Sequence, residues 1–160
     1  MPPTFQNKAQ MRKSLLLPMA TLLLVVACGG SSSTAPTTLN IAGTWNFSDN
    51  ISNSGLAASC SSTSTATVSQ TGSSFTANVF NGTQVCTQNG SVFSNLSGLS
   101  AVVSGGQING TGLSWVDDSG CNYTGTISGS PPNRLSGSES CTIALSGAQY
   151  VFLGTWQAAR

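Results

Sequence analysis

The segment CNYTGTISGSPPNRLSGSESCTIAL, Cys121–Leu145, decides the fold. Two alternating runs flank the loop Gly129-Ser130-Pro131-Pro132-Asn133. Cys121, Tyr123 and Ile127 share one face of the first run; Leu135, Cys141, Ile143 and Leu145 share one face of the second. Period two over this length is the signature of half-buried strands. A loop centred on Pro131 sets Cys121 opposite Cys141 and Ile127 opposite Leu135. A two-residue turn at Ser146-Gly147 then sets Ile143 beside Tyr150 and Cys141 beside Phe152. Apolar residues thus fall on one face across three strands. A slip of one residue would turn that whole set outward, so the register is strongly specified.

Similar signals extend toward the N-terminus. Ile41 to Phe47 alternates Ile41, Gly43, Trp45 and Phe47 onto one face, and Asp49 to Gly55 reads as loop. Ser59 to Gln70 places Ala66 and Val68 together, Thr71-Gly72 is a turn, and Ser74 to Phe80 aligns Phe75, Ala77 and Val79. Asn81-Gly82 is the strongest hairpin dipeptide of the chain, with Thr83 to Gln88 after it and a second such turn at Asn89-Gly90. Ser91 to Ser104 is less regular and fits one or two strands or a short helical turn. Gln107 to Val116 reads as a strand, Asp117-Asp118-Ser119-Gly120 as its turn, and Ala148 to Gln157 ends the body.

That makes eight or nine short strands with no sustained helical period. The expectation is an all-β, up-and-down antiparallel meander closing into an eight-stranded barrel, with a β-sandwich as the alternative. Closure removes the exposed edges that a Ser/Thr-rich, weakly charged sheet would present.

The N-terminal region has a different character. Met11 precedes Arg12-Lys13 and an apolar run from Leu15 to Ala27, too short for a spanning helix of about 20 apolar residues. The run ends Leu22-Leu23-Leu24-Val25-Val26-Ala27-Cys28-Gly29-Gly30. It resembles the lipobox of bacterial lipoprotein signal peptides. The resemblance implies cleavage before Cys28, with Met11 as a candidate true start. It also implies diacylglycerol on the Cys28 thiol, a further acyl chain such as palmitate on the new amino terminus, and membrane attachment through that lipid. Two acyl signals hold stably where one binds reversibly. Gly29 after the lipidated position resembles the outer-membrane sorting pattern. The division is a signal peptide at 1–27, a lipidated flexible tether at 28–38 (CGGSSSTAPTT) and a β-barrel domain at 39–160.

With Cys28 lipidated, Cys60, Cys86, Cys121 and Cys141 remain. An even number in an exported chain reads as two disulfides. The hairpin register favours Cys121–Cys141, and Cys60–Cys86 follows by elimination. There the registers disagree: tight hairpins at both Thr71-Gly72 and Asn81-Gly82 would put Cys60 and Cys86 on non-adjacent strands, too far apart to bond.

Charge is scarce, at 6% of residues. After Cys28 the chain keeps Arg134 and Arg160 against Asp49, Asp117, Asp118 and Glu139, so nucleic acid is a poor partner. There is no histidine, no lysine after Lys13 and no CxxC, which argues against a serine nucleophile with a His base and against a zinc site; no metal is expected, a calcium ion at Asp117-Asp118 being the remaining possibility. Asp117 or Asp118 with Glu139 is the one conceivable catalytic pair, and the Asp-rich stretch reads more simply as a hydrogen-bonded turn. No cofactor is expected.

Gly43-Thr44-Trp45 at the start of the first strand, with Arg160 at the end of the last, resembles the lipocalin/calycin superfamily; the avidin family opens similarly, and the triplet recurs at Gly154-Thr155-Trp156. The resemblance implies that Trp45 packs across the closed end of a lipocalin-like barrel and Arg160 covers it. The function expected is that of a non-catalytic cell-envelope lipoprotein holding a small hydrophobic ligand in a barrel lined by Trp115, Tyr123 and Phe152. The alternative is a structural or surface-interaction lipoprotein whose barrel is filled by side chains. A pocket that gathers Asp117, Asp118 and Glu139 would instead favour an enzyme or a metal site.

Overall fold

The computed structural model describes residues 39–145 and 147–160; Cys28, the leader expected at 1–27 and the tether expected at 28–38 lie outside the described residues. The strands are β1 (Gly43–Asn53), β2 (Ala58–Thr71), β3 (Ser74–Gln88), β4 (Ser91–Asn109), β5 (Gly112–Val116), β6 (Asn122–Ser128), β7 (Arg134–Leu145) and β8 (Ala148–Ala159). Each pairs antiparallel with the next, and β8 returns to β1 through registers such as Asp49↔Trp156. The barrel is closed, which sets the sandwich alternative aside.

The β6–β8 register is the one the sequence implies. Ile127 lies opposite Leu135, Ile143 opposite Tyr150 and Cys141 opposite Phe152. Elsewhere the strands are fewer and longer than expected. Asn81-Gly82 is not a turn. Phe80 pairs with Thr65 and Thr83 with Thr63, so Asn81 and Gly82 together face Ser64 in a bulge within β3. Asn81 takes the left-handed conformation, φ 55°, that makes Asn-Gly a turn signal elsewhere. Leu99 on β4 leaves no room for a side chain at Gly82, whose Cβ would lie 2.9 Å from the Leu99 Cβ. The bulge moves the inward positions from Phe75, Ala77 and Val79 to Gly82, Gln84 and Cys86. Cys86 thereby faces Cys60 across adjacent strands, and the conflict between the two cysteines disappears.

Three further differences follow from pairing. Asp49 to Asn53 is strand rather than loop, because Asp49 and Ile51 continue the inward alternation opposite Ser62 and Cys60. A short 3₁₀ turn at Ser54–Leu56 follows, capped by Asn53, whose side chain accepts from Leu56 N–H at 2.9 Å. The stretch from Gln107 to Val116 is split by a turn, since Gln107 pairs with Ser114 and Asn109 with Gly112. Ser91–Asn109 forms one irregular strand of 19 residues.

The core has two parts. One cluster gathers Ile41, Trp45, Val68, Phe75, Ile108, Leu113, Ile127, Leu135 and Trp156. The other holds Ile51, Ala58, Phe152 and both disulfides, with Cys121 half-buried at its edge. Each bridge closes a loop of twenty-odd residues (separations of 26 and 20) and contributes about 3 kcal/mol by restricting the unfolded chain.

The first end is closed by Trp45 and Arg160. Trp45 is 1% exposed, and its indole N–H donates to the Ile41 carbonyl at 2.8 Å. Arg160 lies over the ring and donates to the carbonyls of Pro132, Ala42 and Asn40. The described chain begins at this same end, where the Gln70 side chain accepts from Ile41 N–H and donates to the Leu39 carbonyl.

Candidate functional site

Strand length creates the site. β5 and β6 have five and seven residues and end at the Asp117–Gly120 turn, whereas β4 and β7 run on beyond them. β4 from Ser91 to Val102 pairs with β3, and β7 from Cys141 to Leu145 pairs with β8. The wall is therefore low between β4 and β7. Below this gap lies a cavity of about 570 Å³ whose walls include Leu99–Ala101, Asp117–Ser119 and Thr142–Ala144 around the gap.

The deeper walls are largely apolar, with Ile41, Trp45, Val68, Phe75, Ala77, Leu113 and Leu135. Phe47, Trp115 and Tyr123 add an aromatic side. Trp115 stacks on its cross-strand partner Tyr123 at 4.7 Å between ring centres, and Phe47 meets Tyr123 edge-on at 6.2 Å. Trp156 braces this group from behind, 4.8 Å from Trp115, with its indole N–H held by the Thr124 and Ser138 carbonyls. The ring occupies space left by Gly125, where a Cβ would collide with it.

Four carboxyls line the same cavity: Asp49, Asp117, Asp118 and Glu139. They are all the acids of the chain. Asp118 is exposed. Asp117 organises its turn: its Oδ1 accepts from Ser119 N–H and Cys121 N–H at 3.0 Å each and from the Ser119 hydroxyl at 2.6 Å. Its Oδ2 accepts from the Tyr123 hydroxyl at 3.3 Å. Glu139, opposite Tyr123 on β7, is 4% exposed, and its Oε1 has no hydrogen-bond partner.

Burial and mutual repulsion disturb these groups. The Glu139 pKa is pushed up to about 8, first by burial and then by the charge of Asp49, against a lowering by the nearby Tyr123 hydroxyl. Burial also raises Asp49, although a hydrogen bond from Ser62 opposes it. Tyr123 is raised far above the ordinary phenol range, mainly by burial and then by Asp117.

Of the residues singled out in the sequence, Trp115 and Tyr123 line the cavity. Phe152 does not reach it: opposite Cys141 it packs into the second cluster, 3% exposed. Asp117, Asp118 and Glu139 do meet in one pocket. Asp49 completes the set and was missed, because its segment reads as loop; the odd-numbered inward alternation from Gly43 through Phe47 is the signal that identifies it. Among the described residues, no group of three or more His, Cys, Asp and Glu is arranged to hold a metal ion. Compared with protein families, curated proteins and solved structures, the chain matches none.

Proposed function

We propose that the protein is a non-catalytic, lipid-anchored envelope protein that holds a small, largely hydrophobic ligand in its barrel. The observation that carries this reading is the side-opening cavity. About 570 Å³ of mostly apolar space with a few converging polar groups is the usual form of a small-molecule site. It favours a ligand over the alternative of a structural lipoprotein with a barrel filled by side chains.

The anchor belongs to the same proposal. Lipidation at Cys28 would retain the protein at a membrane, with the outer membrane suggested by Gly29. The described chain begins at the end closed by Trp45 and Arg160.

The four carboxyls support one second reading, general acid–base catalysis, since Glu139 holds its proton near neutrality as a general acid must. The apolar lining and the absence of any histidine in the sequence favour binding instead.

Native mass spectrometry of protein purified from its own membrane tests the proposal. The expected mass lacks residues 1–27, carries acyl chains on Cys28, lacks the four hydrogens lost in two disulfides and shows a small-molecule adduct. An unacylated chain that still carries its leader would overturn the anchor. A ligand-free mass, with no heat on titration of phenylalkanols, would overturn the ligand.

A further inference from the structure

In a chain with 6% charged residues, the distribution of charge is informative. All four acids line one cavity, while Arg160 covers Trp45 at the closed end and Arg134 is exposed at the start of β7. Glu139 is set among apolar and aromatic walls with one oxygen unpartnered. Buried polar atoms are normally satisfied, and an exception calls for a physical reason. Turn geometry explains Asp117. It does not explain Glu139 or Asp49, which lie on strands β7 and β1 with their side chains turned inward.

We propose that the ligand is an organic cation, a lipophilic amine or quaternary ammonium, whose head lies among Glu139, Asp49 and Asp117 beside the Phe47, Trp115 and Tyr123 rings. The inference rests on the ligand-binding reading above. A cation turns the repulsion among these carboxyls into attraction and satisfies the free Glu139 oxygen. Aromatic faces beside carboxylates are the usual means of holding such a head. The apolar floor at Val68, Phe75 and Leu113 takes the hydrophobic body. An anionic head would meet the same carboxyls with like charge. A neutral acceptor can use only a proton from Glu139 and leaves Asp49 and Asp117 uncompensated. A bare metal ion needs a convergent set of oxygen ligands, and no such group is arranged among the described residues.

The test is calorimetric titration of the full-length protein, reconstituted in phosphatidylcholine nanodiscs at neutral pH, with three matched probes: 4-phenylbutyltrimethylammonium, 4-phenylbutanol and 4-phenylbutanesulfonate. Empty nanodiscs give the partitioning background. The expected order is cation, alcohol, sulfonate, with the cation bound roughly tenfold or more tighter than the alcohol. An alcohol that binds as well as the cation overturns the inference and leaves the ligand-binding reading standing. Failure of all three probes overturns that reading as well. Glu139→Gln and Asp49→Asn should each weaken the cation about fivefold and leave the alcohol within about twofold. Equal losses for both probes count against the inference, and if neither variant folds, the wild-type order decides alone.

Discussion

The Arg160 guanidinium lies 4.4 Å from the centre of the Trp45 ring, joining the end of the last strand to the start of the first. The stack alone is worth about 0.5–2 kcal/mol. The same side chain donates two hydrogen bonds to the Pro132 carbonyl, from Nε at 2.8 Å and a terminal nitrogen at 2.6 Å, and one to Ala42 at 2.8 Å. Arg160→Ala should therefore destabilise the barrel by roughly 2–3 kcal/mol in urea unfolding. Arg160→Lys should recover less than half, because an ammonium cannot stack flat and bridge those carbonyls together. A loss below about 0.5 kcal/mol would mean that the closed end does not depend on this clasp.

Removing either disulfide, as Cys60→Ser with Cys86→Ser or as Cys121→Ser with Cys141→Ser, should cost about 3 kcal/mol. The two variants should differ in binding. Cys121 N–H donates to the Asp117 carboxylate that shapes the turn beside the cavity. Loss of the Cys121–Cys141 bridge should weaken probe binding at unchanged fold, whereas loss of Cys60–Cys86, which joins β2 to β3, should leave it nearly intact. Equal effects on binding would detach the turn from the site.

The sequence was legible wherever one rule acted alone. The β6–β8 register follows from parity, because Pro131 centres the loop and a single slip would expose Leu135 and Cys141. Asn81-Gly82 reads as a turn although it is a bulge, since the left-handed preference that closes a hairpin serves equally well inside a bulge. Only the partner strand decides, and Ser64 lies 17 residues away in sequence. Asp49 was lost for a related reason. A carboxyl in a polar stretch reads as loop, and the alternation from Gly43 to Phe47 points it inward only if the strand is carried past Ser48, as its pairing with Ser62 and Trp156 does. The cavity itself was not legible, since it depends on β5 and β6 being shorter than β4 and β7.

The raised pKa of Glu139 makes stability depend on pH. In the folded protein it titrates at about 8, against an ordinary value of 4.5 when unfolded. Between these values the folded state holds a proton that the unfolded state has released, so stability falls as pH rises through the window. Relaxation around a buried charge moderates the effect to roughly 1–3 kcal/mol. Glu139→Gln should be more stable than wild type by that amount at pH 8 and similar to it at pH 4.5. Asp49, also raised, leaves a smaller slope of the same sign at the acid end. Parallel urea midpoints for the two proteins across this range would show that Glu139 ionises freely.

The same carboxyl should report the ligand's charge directly. A permanent cation beside Glu139 favours its ionised form and lowers its pKa from about 8, so at neutral pH binding expels a proton. The trimethylammonium probe has no proton of its own, and any proton released comes from the protein. Its apparent binding enthalpy should differ between phosphate and Tris buffers by the difference in their ionisation heats, scaled by up to about one proton. Affinity should rise with pH until Glu139 is ionised in the free protein and then level off. Glu139→Gln should abolish most of the buffer dependence, while Asp49→Asn should preserve it in part. Identical heats in both buffers, with the cation still bound, would place its head away from Glu139.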